Sequence, residues 1–572
     1  MPSAEDARSA TAEGGQFQAP RSASKEAMHM INFISTFPPI VCGIGSYTSY
    51  LTSRLDTENW RITSFRLDQF SKTAQIDLSN HRVSYELALG DGYLPPLKKN
   101  EVVWFQHAFG IWGKQIDAFV RLVMESKKRG ARAVASFHTI HFESGETESG
   151  VSRKEEHLMS VVLPLLDAAT VFSDGAYRAL SRAFPQFKEK IVVLRHGVHD
   201  YPRVSPEEAR KKLLSYLTGQ AAIPLSQKQE AKEIARQFVS PATIVLGNFG
   251  FVSLGKDPLA LYELGKLIRD KFPKRRVITL NVGKIQNRKD KKTSETVNLL
   301  RQLRSIHDGK ENLFFEDYLP EDILPYAFRS LDFCVFWCQN ATQSGRMAHA
   351  QGSGTCVVGR RIEGIGETLD LAGLPSAVSL EDLAEKIGKL ILEPALKKKA
   401  GKLSREYAER YSFENQAQKH LLLERAVELG GTLSPLDRTQ PDVTFILPRL
   451  ALASRGGLEG LHDEKAAFLN VADDGDLYPL PKNYHRIPLQ DGTAIPAEKM
   501  REAVEWIRTN IAHHRVVVFC RYGKGRSASV IIAYLCAAGF DYQEAVKLVA
   551  LKRPGTTPLP ELSQTIEMAL RT

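Results

Sequence analysis

Near the end of the chain a cysteine and an arginine, Cys520 and Arg526, enclose Arg521, Tyr522, Gly523, Lys524 and Gly525, and Ser527 follows directly. The apolar run before the cysteine, 515–519, reads as a buried strand, and residues 527–538 read as a helix. Strand, tight loop and helix N-terminus together make an anion site, because unpaired backbone N–H groups face one point there. Those groups and the Arg526 guanidinium can wrap a tetrahedral phosphate. The same positive field favours the thiolate of Cys520, which is the nucleophilic form. The chemistry implied is hydrolysis of a phosphate ester through a cysteinyl-phosphate.

The segment resembles the cysteine-dependent dual-specificity phosphatases, whose loop reads Cys-x5-Arg-Ser/Thr. Upstream, 446–454 looks like that family's opening strand and 467–472 like its next. Asp491, in the stretch 484–492, stands 29 residues before Cys520, where the family carries its general acid. A leaving alkoxide needs a proton, which gives an aspartate there a task. Asp473 and Asp474 are the secondary candidates, and Ser527 resembles the hydroxyl that assists thiolate release. Two departures stand out: Phe519 occupies the family's usual histidine position, and Arg521 and Lys524 make the loop unusually basic. Basic loops resemble those of inositol-phosphate and phosphoinositide phosphatases. They favour a small, phosphate-rich substrate over phosphotyrosine in a protein.

The whole chain has 572 residues, which implies more than one domain. At 43% hydrophobic residues it can fill several cores. The six cysteines show no paired spacing, which argues against a disulfide framework or a zinc site and for a reducing cytoplasm. No metal or cofactor is expected. The formal charge of +10 suggests anionic ligands, and sugar nucleotides and phosphate esters satisfy it without a nucleic-acid motif. Residues 1–28 read as a disordered tail rather than a signal peptide, and no apolar stretch is long enough to span a bilayer. Peripheral membrane contact through basic patches stays open.

From residue 30 onward short apolar runs alternate with amphipathic stretches. Strands are expected over 30–35, 102–106, 133–138, 169–173 and 191–195, and a second series over 243–246, 276–281, 313–315, 333–337 and 355–358. The order is α/β with parallel sheets. The predicted organisation is a Rossmann-like domain over 29–205, a second over 206–429, a linker over 430–440 and a small α/β cysteine-phosphatase domain over 441–572. Glycine turns sit at the strand ends: Gly43 and Gly45 after the first, and Gly250 and Gly255 with Lys256 at the start of the second series. Such turns bring backbone N–H groups close to a phosphate or a sugar.

This ordered set resembles the GT-B glycosyltransferases of family 4 over roughly 30–429. The resemblance implies that Gly43 and Gly45 approach the donor diphosphate or the acceptor, that His138 sits by the transferred sugar, and that Lys256 holds the diphosphate. Ser344 and Gly345 match the Ser-Gly that some branches of the family carry at this point, and Glu367 would lie near the nucleotide-sugar. It further implies transfer with retention at the anomeric carbon, without a metal. Phe251 stands where the family usually has an arginine, and Ala341 and His349 where it has two glutamates. The stretch 284–292, with Lys284, Arg288, Lys289, Lys291 and Lys292, is a candidate contact for a phosphorylated acceptor.

The expected function is therefore bifunctional. A glycosyl group moves from a sugar nucleotide to an inositol phosphate or sugar phosphate, and the phosphate is then removed. The alternative is a protein phosphatase regulating polysaccharide synthesis, its front half acting on a glycan or serving only as a binding module.

Overall fold

The computed structural model describes residues 30–69, 82–88, 94–97, 101–112, 116–286, 293–428, 443–458 and 466–571. The tail 1–28, the linker 430–440 and residues 287–292 of the basic stretch lie outside the described residues.

Three sheets are present among the described residues. The first is wholly parallel, in the order β3-β2-β1-β4-β5-β6-β7. Its strands are β1 (Ile31–Ser35), β2 (Trp60–Phe65), β3 (Val83–Leu87), β4 (Val102–His107), β5 (Arg132–Phe137), β6 (Ala168–Val171) and β7 (Ile191–Val193). Every residue of β1, β4 and β6 is buried, as expected where helices cover both faces of a parallel sheet. The second sheet is also parallel, β10-β9-β8-β11-β12-β13. It comprises β8 (Ile244–Phe249), β9 (Val277–Val282), β10 (Asn312–Phe315), β11 (Phe333–Phe336), β12 (Cys356–Arg360) and β13 (Ser376–Ala377).

In both sheets the strand order reverses beside the first strand, between β1 and β4 and between β8 and β11. Chains leaving the two sides of such a reversal diverge and open a crevice at the strand C-termini, where α/β sheets bind ligands. The expected loops after β1, β4, β5 and β8 all leave at that end. The helix Phe413–Glu428, expected with the second domain, packs on the first. His420 stacks on Trp104 of β4 at 4.5 Å, and Val198 bridges Ser412.

The third sheet is mixed, β14-β15-β18-β16-β17, with strands β14 (Val443–Leu447), β15 (Leu450–Ser454), β16 (Ala466–Ala472), β17 (Tyr484–Leu489) and β18 (Arg515–Cys520). The stretch 446–454, expected as one strand, belongs to an antiparallel hairpin turning at Pro448 and Arg449. Proline cannot donate in the middle of a strand, and that signal lay in the sequence. β18 is central and fully buried, so the loop after it starts from a fixed point. This unit rests on the first through helix Tyr542–Lys552: the buried Lys419 ammonium pairs with Glu544, and Arg410 lies 3.2 Å from Asp541.

Candidate functional site

Two sites emerge. In the third sheet, β18 delivers Cys520 into the loop and helix Arg526–Ala537 begins at its far end. The N-cap is Gly525, with no side chain accepting from the first turn, so the N–H groups stay open to an anion. Gly523 has φ +62°, and a Cβ there would stand 2.7 Å from the Ala453 backbone. Glycine is thus required at 523, whereas Gly525 has room for a side chain. Burial pushes the Cys520 thiol up, but the Ser527 hydroxyl, 3.2 Å from Sγ, and the N–H groups of Ser527, Lys524 and Tyr522 outweigh it. The net direction is down, toward thiolate.

Arg526 is 1% exposed, and its Nε has no partner among the described residues. Its Nη atoms reach Asp473, Asp474 at 3.5 Å and Asp491 at 3.6 Å. Asp491 and Cys520 line one open cavity of about 460 Å³, together with Tyr522, Lys524, Gly525 and Arg526. The two extra cations divide. Lys524 faces this cavity; Arg521 turns toward Asp474 at 3.5 Å and over the Tyr522 ring.

The second site is a cavity of about 550 Å³ between the first two sheets. Gly43, His138, Lys256, Ser344 and Gly345 line it; Gly45 does not, and instead lets its helix approach Thr36. Helix Gly43–Thr52 has no side-chain cap, and Ser344 caps the helix Gly345–Gly352 by accepting from the Met347 N–H. Gln106 Oε1 lies 2.6 Å from His138 Nε2, which assigns the proton to Nε2. Burial holds His138 well below its ordinary range, so the imidazole is neutral and its Nδ1 is an acceptor.

Glu367 is placed differently from the expectation. It does not line the cavity. Its oxygens accept from the Asp174 and Gly175 N–H groups and from Arg195 at 2.6 Å, across the two Rossmann-like units. Arg195 also pairs with Asp174 at 2.8 Å, so the carboxylate is consumed in a latch. Glu363 makes a similar reach: it holds His141 at 2.9 Å and the Phe142 N–H at 3.1 Å, in spite of a φ of +38°.

Sequence reasoning missed Arg346. It lines the cavity beside Lys256, its Nη1 bonded to Asn248 Oδ1 at 3.1 Å, while Lys256 Nζ donates to the Phe251 carbonyl at 3.0 Å. Among the described residues no carboxylate pairs with either cation. Burial, then the Arg346 charge, pushes Lys256 well below the usual lysine range, and burial lowers Arg346. An anion between them would relieve both. His349, at an expected carboxylate position, is stacked on His199 at 4.0 Å, and burial pushes it down to about 3. The carboxylate that does line the cavity is Glu321, which takes the Tyr50 hydroxyl.

No family model matches the chain, and no curated protein matches it. Solved structures are similar. An α,α-trehalose-phosphate synthase (UDP-forming) from Burkholderia vietnamiensis covers 69% of this chain and 100% of its own at TM-score 0.51 and 10% identity. A structure described as trehalose-6-phosphate from E. coli, bound with UDP-2-fluoro glucose, covers 71% of this chain and 100% of its own at TM-score 0.50 and 11% identity. At these identities the likeness is one of fold: mixed α/β with parallel sheets, consistent with paired Rossmann-like domains of the GT-B kind.

Proposed function

We propose that the chain transfers a glycosyl group from a sugar nucleotide to a phosphorylated small acceptor, an inositol phosphate or a sugar phosphate, and that Cys520 then removes the phosphate. The observation that carries the transfer half is that Lys256 and Arg346 stand side by side in one cavity wall with no carboxylate partner among the described residues. Two uncompensated cations suit a diphosphate leaving group, whose charge grows as the anomeric C–O bond breaks. The acceptor hydroxyl attacks that carbon and its proton passes to the departing diphosphate. His138 is neutral and does not serve as an acid. Gln286, in the described part of the basic stretch, lines this cavity and donates to the Val41 carbonyl at 2.8 Å. The neighbours' bound UDP-2-fluoro glucose and UDP-forming activity support the donor class.

At the Cys520 loop the thiolate attacks phosphorus, the ester P–O bond breaks, and Asp491 protonates the leaving oxygen. Water then attacks the cysteinyl-phosphate, Asp491 takes its proton, and the Ser527 hydroxyl stabilises the departing thiolate. Six free cysteines and no helix among the described residues long and apolar enough to cross a membrane suit a reducing cytoplasm.

A second reading has the cleft as a binding module and the phosphatase, acting on protein, as the sole activity. Ala341 and the neutral His349 favour it. Incubating wild type and Cys520→Ser with a panel of sugar nucleotides and phosphorylated acceptors, read by mass spectrometry, separates the two. A phosphorylated glycoside that accumulates only in Cys520→Ser supports two steps. Phosphate release without any nucleotide release from the panel refutes the transfer half.

A further inference from the structure

The connection between β16 and β17, residues 473–483, carries an apolar tip that its own fold does not cover. Because β16 and β18 are parallel, with Asn470 opposite Phe519, this connection leaves the sheet at the same end as the Cys520 loop. Its base is pinned. Asn470 Nδ2 donates to the Gly475 carbonyl and to Asp476, both at 2.8 Å, Arg486 holds Asp476 at 2.8 Å, and Leu477 is buried. Beyond the base Tyr478 is 92% exposed and Leu480 58%, with Pro479 and Pro481 restricting the backbone between and after them. In the phosphate loop Tyr522 is 58% exposed. Large apolar side chains held out on a pinned, proline-stiffened tip lose little entropy on entering another phase.

The charges at this end are unequal. Asp473, Asp474 and Asp476 each face a guanidinium, of Arg526, Arg521 and Arg486, and Asp491 lies 3.6 Å from Arg526. Lys482 beside the tip and Lys524 in the cavity have no carboxylate partner among the described residues. Aromatic and aliphatic prongs beside unpaired lysines match the layered chemistry of an anionic bilayer surface, with tyrosine at headgroup depth and ammonium groups against lipid phosphates.

We infer that this end of the third unit docks on an anionic membrane surface through Tyr478 and Leu480, with Lys482 and Lys524 facing the headgroups, so that the Cys520 cavity opens toward phosphomonoesters at the lipid–water boundary. The docking stands apart from the proposed catalysis; only its consequence for Cys520 rests on the phosphatase reading.

The test is sedimentation of the full chain with phosphatidylcholine vesicles and with mixed phosphatidylcholine–phosphatidylserine vesicles. Wild type and Cys520→Ser should sediment with the mixed vesicles and not with the neutral ones. Tyr478→Ser/Leu480→Ser should lose about tenfold or more of that affinity, and Lys482→Gln a smaller part, in keeping with the loss of buried apolar area and of one surface charge. Hydrolysis of soluble p-nitrophenyl phosphate by Tyr478→Ser/Leu480→Ser should match wild type and certify its fold. No sedimentation with mixed vesicles overturns the inference, as does sedimentation that Tyr478→Ser/Leu480→Ser leaves unchanged. It is equally overturned if no chain sediments while the double variant slows hydrolysis of a phosphopeptide, which would assign the tip to a protein. Sedimentation without phosphoester hydrolysis by any chain would retain the docking and remove the phosphatase.

Discussion

Gly523→Ala and Gly525→Ala separate loop geometry from loop composition. At 523 the backbone has φ +62°, and a Cβ would lie 2.7 Å from both the carbonyl carbon and oxygen of Ala453. Alanine in the left-handed region costs about 1–2 kcal/mol by itself. The contact adds more, because Ala453 belongs to β15, is fully buried and pairs with Phe519 of β18, and so cannot retreat. The loop must move instead, and with it the N–H groups of Tyr522 and Lys524 that favour the thiolate. Losing one such preorganised donor at a developing or resident anion costs about 2.7–4 kcal/mol, or roughly 10²–10³ in rate. At 525 φ is −102° and the nearest atom to a Cβ is Asp491 Oδ1 at 3.5 Å, an ordinary contact. The assay is kcat for p-nitrophenyl phosphate, with thermal unfolding as a check on fold. Gly523→Ala should fall by about 10²–10³ while Gly525→Ala stays within about threefold of wild type. Equal loss in the two variants, or a Gly523→Ala enzyme as fast as wild type, would refute the argument from backbone geometry.

Ser527→Ala should raise the Cys520 pKa, since it removes a donor to the thiolate; the pH midpoint of alkylation by iodoacetamide should move up, and an unmoved midpoint would remove the hydroxyl from the account. Lys256→Gln and Arg346→Gln should each weaken binding of nucleoside diphosphates about tenfold to hundredfold by calorimetric titration across UDP, GDP and ADP, as expected for a lost charge-assisted bond. Unchanged affinity in both would empty the cavity of its anion role. Lys419→Met should destabilise the junction with the third unit by about 3–5 kcal/mol, because it strands the Glu544 carboxylate, whereas Lys419→Met/Glu544→Leu should recover most of it in scanning calorimetry. The Glu363 carboxylate raises the His141 pKa, so that pair contributes fully below about pH 6.5 and less as pH rises through the raised value. Burial raises Glu363 but the His141 bond overrides it, so its share is present above about pH 4.5 and lost on acidification. The gap in melting temperature between wild type and His141→Ala should therefore be widest near pH 5–6 and narrow toward pH 9; a gap that ignores pH would dismiss the ion pair.

The fold was largely legible where burial on both faces leaves an unbroken apolar run. Residues 102–105 of β4 and 516–520 of β18 are such runs. β2 escaped because its middle is polar: Thr63 and Ser64 are buried, and Thr63 is satisfied by Asn32 Oδ1 at 3.0 Å, a bond from a neighbouring strand that no local pattern reveals. The same distinction governs the sites. Cys520, Arg526 and Ser527 lie within eight residues, and the covalent chain itself sets their geometry once the flanking strand and helix are recognised. In the cleft the chain sets far less. Phe251 leaves an expected cation missing, yet Arg346, on a different element, stands beside Lys256 in the same wall. Glu367, expected near the nucleotide-sugar, sits in the helix Glu363–Ala372, and Arg195 of the other unit claims its carboxylate. A charge can be supplied or withdrawn by any element that reaches the crevice, so position-by-position reasoning holds for a loop and weakens for a cleft. What survives the change of supplier is the electrostatic requirement itself: a pair of cations with no carboxylate partner among the described residues, where the strand order of the second sheet reverses, which is why Lys256 and Arg346 together carry more weight than either residue alone.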